Sequence, residues 1–156
     1  MKIISKAEIE APAPFVFERM TDFDMWERKI RNRDVVLQRQ PGPVQTGTTW
    51  QTRIPIRGRK RDMAVTLTEM TPDTVLRFRA LDAALQIDSD FELTSLSENR
   101  TLLTSRIEIK PLNIAARLLV QSLRLARGKV EQRIQQRTRE FARQTGQDWR
   151  KLRDGK

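Results

Sequence analysis

The chain contains no histidine and no cysteine. Those absences remove the usual general base, the Ser-His-Asp triad, thiol nucleophiles, disulfides and zinc sites of the Cys/His kind. Chemistry would fall to carboxylates, Lys, Arg, Ser and Thr. Two groups of carboxylates have suggestive spacing: Asp88, Asp90 and Glu92 alternate along "LQIDSDFELTSL", and Asp22 and Asp24 sit in "TDFD". Alternation puts the first group opposite Ile87, Ser89, Phe91 and Leu93, on the outer face. There Arg77, Arg79 and Arg106 on adjacent strands are the natural partners. Asp22 and Asp24 suit a helix cap or turn. No acid is placed inward, so no catalytic residue is assigned, and the set implies no metal and no cofactor. Four hydroxyls do project inward: Ser5, Thr52, Ser89 and Ser105. They either bond backbone carbonyls, as buried hydroxyls commonly do, or form a polar stripe that orients a ligand hydroxyl or carbonyl.

The elements that must position these groups follow from periodicity. "KIISKAEIEAP" alternates, with Ile3, Ser5, Ala7 and Ile9 on one face, and predicts a strand. Pro12 and Pro14 end it and can open a helix, in which Phe15, Val16, Arg19 and Met20 lie at helical spacing. "TDFDMW" predicts a break and a second short helical piece. After Asn32 the period is two again, through "DVVLQRQ", "TTWQTRIPIRG", "RKRDMAVTLTEM", "VLRFRAL", "LQIDSDFELTSL" and "TLLTSRIEIK", separated by turns such as "PGPVQTG", "TPDT" and "SENR". Pro55 argues for an edge position. The sum is an α+β domain: about seven strands in antiparallel hairpins, one face apolar and the other charged.

Pro111 and Asn113 close the last strand and open a helix from Ile114 to about Gln144. At 100° per residue, Ala115, Ala116, Leu119, Leu123, Ala126, Val130, Ile134 and Phe141 fall on one stripe. Ile114, Leu118 and Leu125 form a second apolar flank. Arg117, Arg124, Arg139 and Arg143 lie roughly opposite the main stripe. Gly128 is about 180° from Leu119 and has no evident role beyond a weak point or bend. The domain is expected over residues 1–145, with 146–156 a basic, flexible tail.

Net charge is +10 and uneven: from Asn113 onward there are twelve Lys or Arg against four Asp or Glu. Two loop clusters, "RGRKRD" (Arg57 to Asp62) and "ERKIRNR", add to it. Such runs are either solvated faces or sites for an anionic membrane surface. Nucleic acid is the weaker alternative, since interleaved aromatics and recognised binding motifs are lacking. No apolar run is long enough for a membrane span or a signal peptide, so a cytoplasmic location is expected.

The opening segment, with Ala11, Pro12, Val16, Phe17, Asp22 and Trp26, resembles the START/polyketide cyclase-dehydrase (SRPBCC) superfamily. "VQTGTTW" (Val44 to Trp50) resembles the glycine-containing approach to that family's third strand. The resemblance covers Lys2 to Phe141. It implies a helix-grip fold: a curved seven-stranded sheet wrapped around the C-terminal helix, two short helices between strands 1 and 2, and a cavity between sheet and helix. It also makes strands 1, 6 and 7, which carry the three inward serines, neighbours. Members bind lipids, sterols, polyketides, quinones and other hydrophobic molecules, and some are cyclases or hydrolases.

Within that frame Trp50, Met63, Val65, Leu76, Phe78, Phe91 and Leu103 face the cavity, Leu119 and Leu123 close it from the helix, and Trp26 stands near its mouth. These residues either pack as a filled core or line an adaptable apolar pocket. The expected function is binding, with transport as an extension of it, of a hydrophobic small molecule without catalysis. The alternatives are a cyclase/dehydrase-like enzyme and a basic module that docks to RNA, the ribosome or an acidic partner.

Overall fold

A computed structural model of the chain describes residues 1–31 and 34–155. Asn32 and Arg33 of the "ERKIRNR" cluster, and Lys156 of the tail, lie outside the described residues. The first strand, β1 (Lys2–Ile9), is followed by two short helices, α1 (Ala13–Met20) and α2 (Phe23–Ile30). Six strands come next: β2 (Val36–Arg39), β3 (Thr49–Ile56), β4 (Arg59–Thr71), β5 (Val75–Leu81), β6 (Leu85–Ser97) and β7 (Arg100–Pro111). Two helices end the chain, α3 (Ile114–Leu125) and α4 (Arg127–Arg153). The seven strands form one antiparallel sheet in the order β1-β7-β6-β5-β4-β3-β2.

The expected pattern of inner and outer faces is present. On the outer face Arg77 pairs with Glu69, Asp90 and Glu92, Arg79 with Asp88, and Arg106 with Glu92. Asp22 caps α2, accepting from the Met25 amide at 3.3 Å. Asn113 caps α3, accepting from the Ala116 amide at 2.8 Å. Pro55 is accommodated because β2 pairs only as far as Arg53, so β3 is itself the sheet edge beyond that point. Arg57 and Gly58, both at positive φ, make the two-residue turn between β3 and β4.

The C-terminal segment differs from expectation in three ways. It is two helices, broken at Ala126 (φ −100°, ψ 16°), two residues before Gly128. A Cβ on Gly128 would meet open space, and nothing in the structure explains that glycine. Second, the segment beyond residue 145 is helix to Arg153 rather than a frayed tail. Thr145 and Gly146 are buried there, and Trp149 packs on Phe15 of α1 with ring centroids 5.1 Å apart. The Arg19 guanidinium lies 5.0 Å from the same Phe15 ring. The buried positions and the Trp149–Phe15 contact tie down a segment whose own sequence is weakly amphipathic.

Third, α4 lies along β1, at the margin of the sheet. Met1 and Ile109 exchange both backbone hydrogen bonds. Odd-numbered residues of β1 therefore bond to β7, and the even-numbered carbonyls face outward from a free edge. Arg127 donates to the Lys2 carbonyl at 2.7 Å and Gln135 to the Lys6 carbonyl at 2.9 Å. The helix side chains thus cap an edge that would otherwise be open to strand pairing.

The core has two centres. One joins α1, the sheet and α4 through Ile9, Val16, Phe17, Leu67, Leu93 and Ala142. The other joins Met63 and Leu85 to Ala116 and Val120 of α3. Ala115, on the expected stripe, is exposed, and Val120 takes the buried position instead. The break at Ala126 releases α3 from the helical phase of α4, so one continuous stripe cannot describe both.

Asp82, in the β5–β6 turn, titrates with folding. Burial opposes its ionisation, but amide hydrogen bonds from Leu85 and Ala84 and the Arg61 guanidinium outweigh that and hold its carboxyl below the usual range. A depressed carboxylate stabilises the fold above its unfolded pKa, about 3.9. That contribution disappears as pH falls through the folded value. Urea midpoints should be flat from neutral pH to about pH 5 and drop below about pH 4. Asp82→Ala should cost about 1–2 kcal/mol at neutral pH and show a shallower acid decline.

Candidate functional site

The concave face of the sheet carries a row of aromatic rings. Trp50 of β3 meets Phe78 of β5 with centroids 6.0 Å apart, and Phe78 meets Phe91 of β6 at 6.4 Å. Phe23 of α2 sits over the row, 5.7 Å from Trp50 and 6.5 Å from Phe78. Trp26, one helical turn later, stacks on Phe141 of α4 at 5.8 Å and donates its indole N–H to the Arg19 carbonyl at 3.0 Å. α2 therefore bridges the sheet and the long helix across one end of the concave face, and Trp26 is part of that bridge.

Of the residues expected to line a cavity, Trp50, Met63, Leu76 and Leu103 are buried in the core. Val65, Phe78, Phe91, Leu119 and Leu123 are half-buried. So are Ile87 and Ile107 on the sheet, and Ala126, Val130 and Ile134 on the helices. The concave wall and the apolar side chains of α3 and α4 thus both keep part of their surface. The fully buried positions of α4, Thr138, Ala142, Thr145 and Gly146, form a separate line against β1 and α1. Two surface depressions lie elsewhere. One of about 210 Å³ is formed by the loop from Gln40 to Thr48. A shallow one of about 660 Å³ lies between Ile4 and the start of α4. None of the expected cavity residues lines either.

The four inward hydroxyls divide. Thr52 donates to the Val36 carbonyl at 2.9 Å. Ser5 lies 2.9 Å from the Thr138 hydroxyl, which itself donates to the Ile134 carbonyl at 2.9 Å. Ser5 is therefore the donor, and its proton joins sheet to helix. Ser105 is buried opposite Phe91 in the β6–β7 register, and Ser89 is half-buried opposite Phe78 and Ile107. Ser89 and Ser105 are the hydroxyls of the set that are not tied to a helix or strand partner among the described hydrogen bonds.

Sequence reasoning places no acid inward, and Glu27 overturns that expectation. Its side chain is 8% exposed. One carboxylate oxygen accepts from the Trp50 indole N–H at 3.0 Å and is ion-paired with Arg39 Nε at 3.2 Å. The other faces Arg31 at 3.4 Å. Arg39 also holds Asp24 at 2.6 Å. The signal was available: Phe23 and Glu27 are four residues apart and so share one face of α2. With both oxygens engaged by cations and an indole, Glu27 ties α2 to the sheet.

A curved antiparallel sheet, two short helices after its first strand and a long C-terminal helix define the helix-grip class, with START-like architecture. The Zhui aromatase/cyclase from Streptomyces sp. R1128 superposes with a TM-score of 0.64 at 13% identity, covering 93% of this chain and 93% of that one. A protein from Thermus thermophilus gives 0.66 at 13% identity, over 93% and 97% of the two chains. A START superfamily protein from Mycobacterium smegmatis gives 0.52 at 14% identity, over 86% and 97%. No protein-family model and no curated protein matches the sequence. At such identities the likeness establishes the fold alone.

Proposed function

We propose that this protein binds a hydrophobic small molecule, of the lipid, polyketide or quinone kind, between the concave face of the sheet and the C-terminal helices. The carrying observation is a set of half-buried apolar side chains on both elements: Val65, Phe78 and Phe91 on the sheet, Leu119, Leu123, Val130 and Ile134 on the helices. Apolar side chains left partly accessible on both elements give an apolar guest surface to cover. Flat aromatic and flexible aliphatic walls suit an apolar guest. Ser89 and Ser105 offer it a hydroxyl each, and the buried Trp50, Met63, Leu76 and Leu103 continue the same inner face. α2, held by Glu27, closes one end.

The same layout supports binding without turnover. Acid–base chemistry needs a proton-transfer group within reach of the guest. The buried carboxylate of Glu27 is engaged by Trp50, Arg39 and Arg31. Titration with an environment-sensitive apolar fluorophore tests the reading. Saturable one-to-one binding, displaced by a fatty acid, quinone or polycyclic aromatic, is expected. Absence of saturable binding, or displacement by none of the three, would refute it.

A further inference from the structure

The outer side of α3 carries an apolar stripe that nothing in the fold uses. Ile114 is 78% exposed, Leu118 66% and Leu125 92%. At 100° per residue the three lie within about 40° of one another and nearly opposite the buried Ala116 and Val120. α3 contains no acidic residue, and Arg117 and Arg124 flank the stripe on one side.

The charge around this stripe is one-signed. Leu119, on the inner side of α3, packs in the same cluster as Ile54, Ile56 and Met63. The β3–β4 turn that follows Ile56 is therefore at the same end of the molecule. That turn presents Arg57, Arg59 and Lys60, all exposed. Among the described residues none of these three, nor Arg117 or Arg124, forms an ion pair. The cations that are neutralised nearby, Arg53 with Asp62 and Arg61 with Asp82, lie just behind the tip.

We infer that this end of the protein docks on an anionic lipid bilayer, with Ile114, Leu118 and Leu125 entering the headgroup boundary and Arg57, Arg59, Lys60, Arg117 and Arg124 meeting the lipid phosphates. An exposed apolar stripe with basic flanks on a helix too short to span is the pattern of an interfacial helix. No helix among the described residues is long and apolar enough to cross a membrane. The apolar stripe decides against RNA, which would use the arginines and leave the leucines in water. Five unpaired cations beside it decide against a second copy of this surface, which would bring like charges together. The inference stands independently of ligand binding in the concave face.

Co-sedimentation with vesicles of phosphatidylcholine alone, and of phosphatidylcholine and phosphatidylglycerol in equal parts, tests it. Binding to the anionic vesicles and not to the neutral ones is expected. Replacing Arg57, Arg59 and Lys60 together by Gln should weaken it about a hundredfold, roughly fivefold per cation. The triple variant Ile114→Gln/Leu118→Gln/Leu125→Gln keeps every cation and alters only exposed side chains. It should fold normally and lose at least about tenfold in binding. The inference fails if wild-type protein ignores anionic vesicles at low salt, or if it binds neutral vesicles equally. It also fails if the apolar triple variant binds as well as wild type, or if that variant dissociates a dimer seen for wild type in sedimentation equilibrium.

Discussion

Glu27→Ala will lower the unfolding free energy by about 2–3 kcal/mol, among the largest losses expected from removing one surface-proximal side chain of this fold. The substitution leaves the Trp50 indole N–H, on a residue 4% exposed, without an acceptor. It also removes the carboxylate that faces Arg39 and Arg31. Breaking a fully buried pair typically costs about 3–5 kcal/mol. Here Arg39 and Arg31 keep 25% and 48% side-chain exposure, so water recovers part of their solvation and the cost falls at the low end. For a domain of this size the loss corresponds to roughly 4–12 °C in Tm. Glu27→Gln, which keeps an acceptor for Trp50, should cost about half as much. The exposed Glu18→Ala serves as a control and should change stability by less than about 0.5 kcal/mol. A thermal melt of the three variants decides the matter. If Glu27→Ala melts with wild type, Glu27 does not anchor α2.

The second large effect concerns the guest. Ser89→Trp will weaken apolar ligand binding by at least about tenfold while leaving the fold intact. Ser89 is half-buried on the concave wall between Phe78 and Ile107. An indole there would occupy the volume that the proposed guest needs. If the proposed guest space is open, the larger side chain should escape the usual overpacking penalty of about 1–3 kcal/mol. A variant that loses stability by that amount would show that the space is already full. Ser5→Ala behaves differently: its hydroxyl bonds Thr138, so the change should act on stability and leave affinity alone.

The strands were legible because their outer face is charged. Arg77 and Arg79 against Leu76 and Phe78, or Asp88 and Asp90 against Ile87 and Ser89, fix alternation and even the cross-strand ion pairs. The inner-facing assignment of Trp50, Met63, Leu76 and Leu103 follows from the same period of two. The helices were harder. The break at Ala126 has no proline and no cap signal, and it arises where α3 turns to cover Met63 and Leu85 while α4 follows β1. Continuation to Arg153 depends on Trp149 finding Phe15, a contact between residues 134 positions apart that no local window contains. Glu27 was missed for the same reason: its partners Arg39 and Trp50 come from two later strands. Alternation likewise shows that Ser5 and Thr52 face inward, but not that Thr138 and the Val36 carbonyl take their hydrogen bonds.

Central to the proposed function is a space between sheet and helices that accepts an apolar guest. Native mass spectrometry reads this most directly, with wild type and Ser89→Trp each incubated with a long-chain fatty acid, a quinone and a polycyclic aromatic ketone. The expected result is a one-to-one non-covalent adduct with at least one of the three in wild type, strongly diminished in Ser89→Trp. Wild-type protein that carries none of them, or a Ser89→Trp variant that carries them equally well, would contradict it.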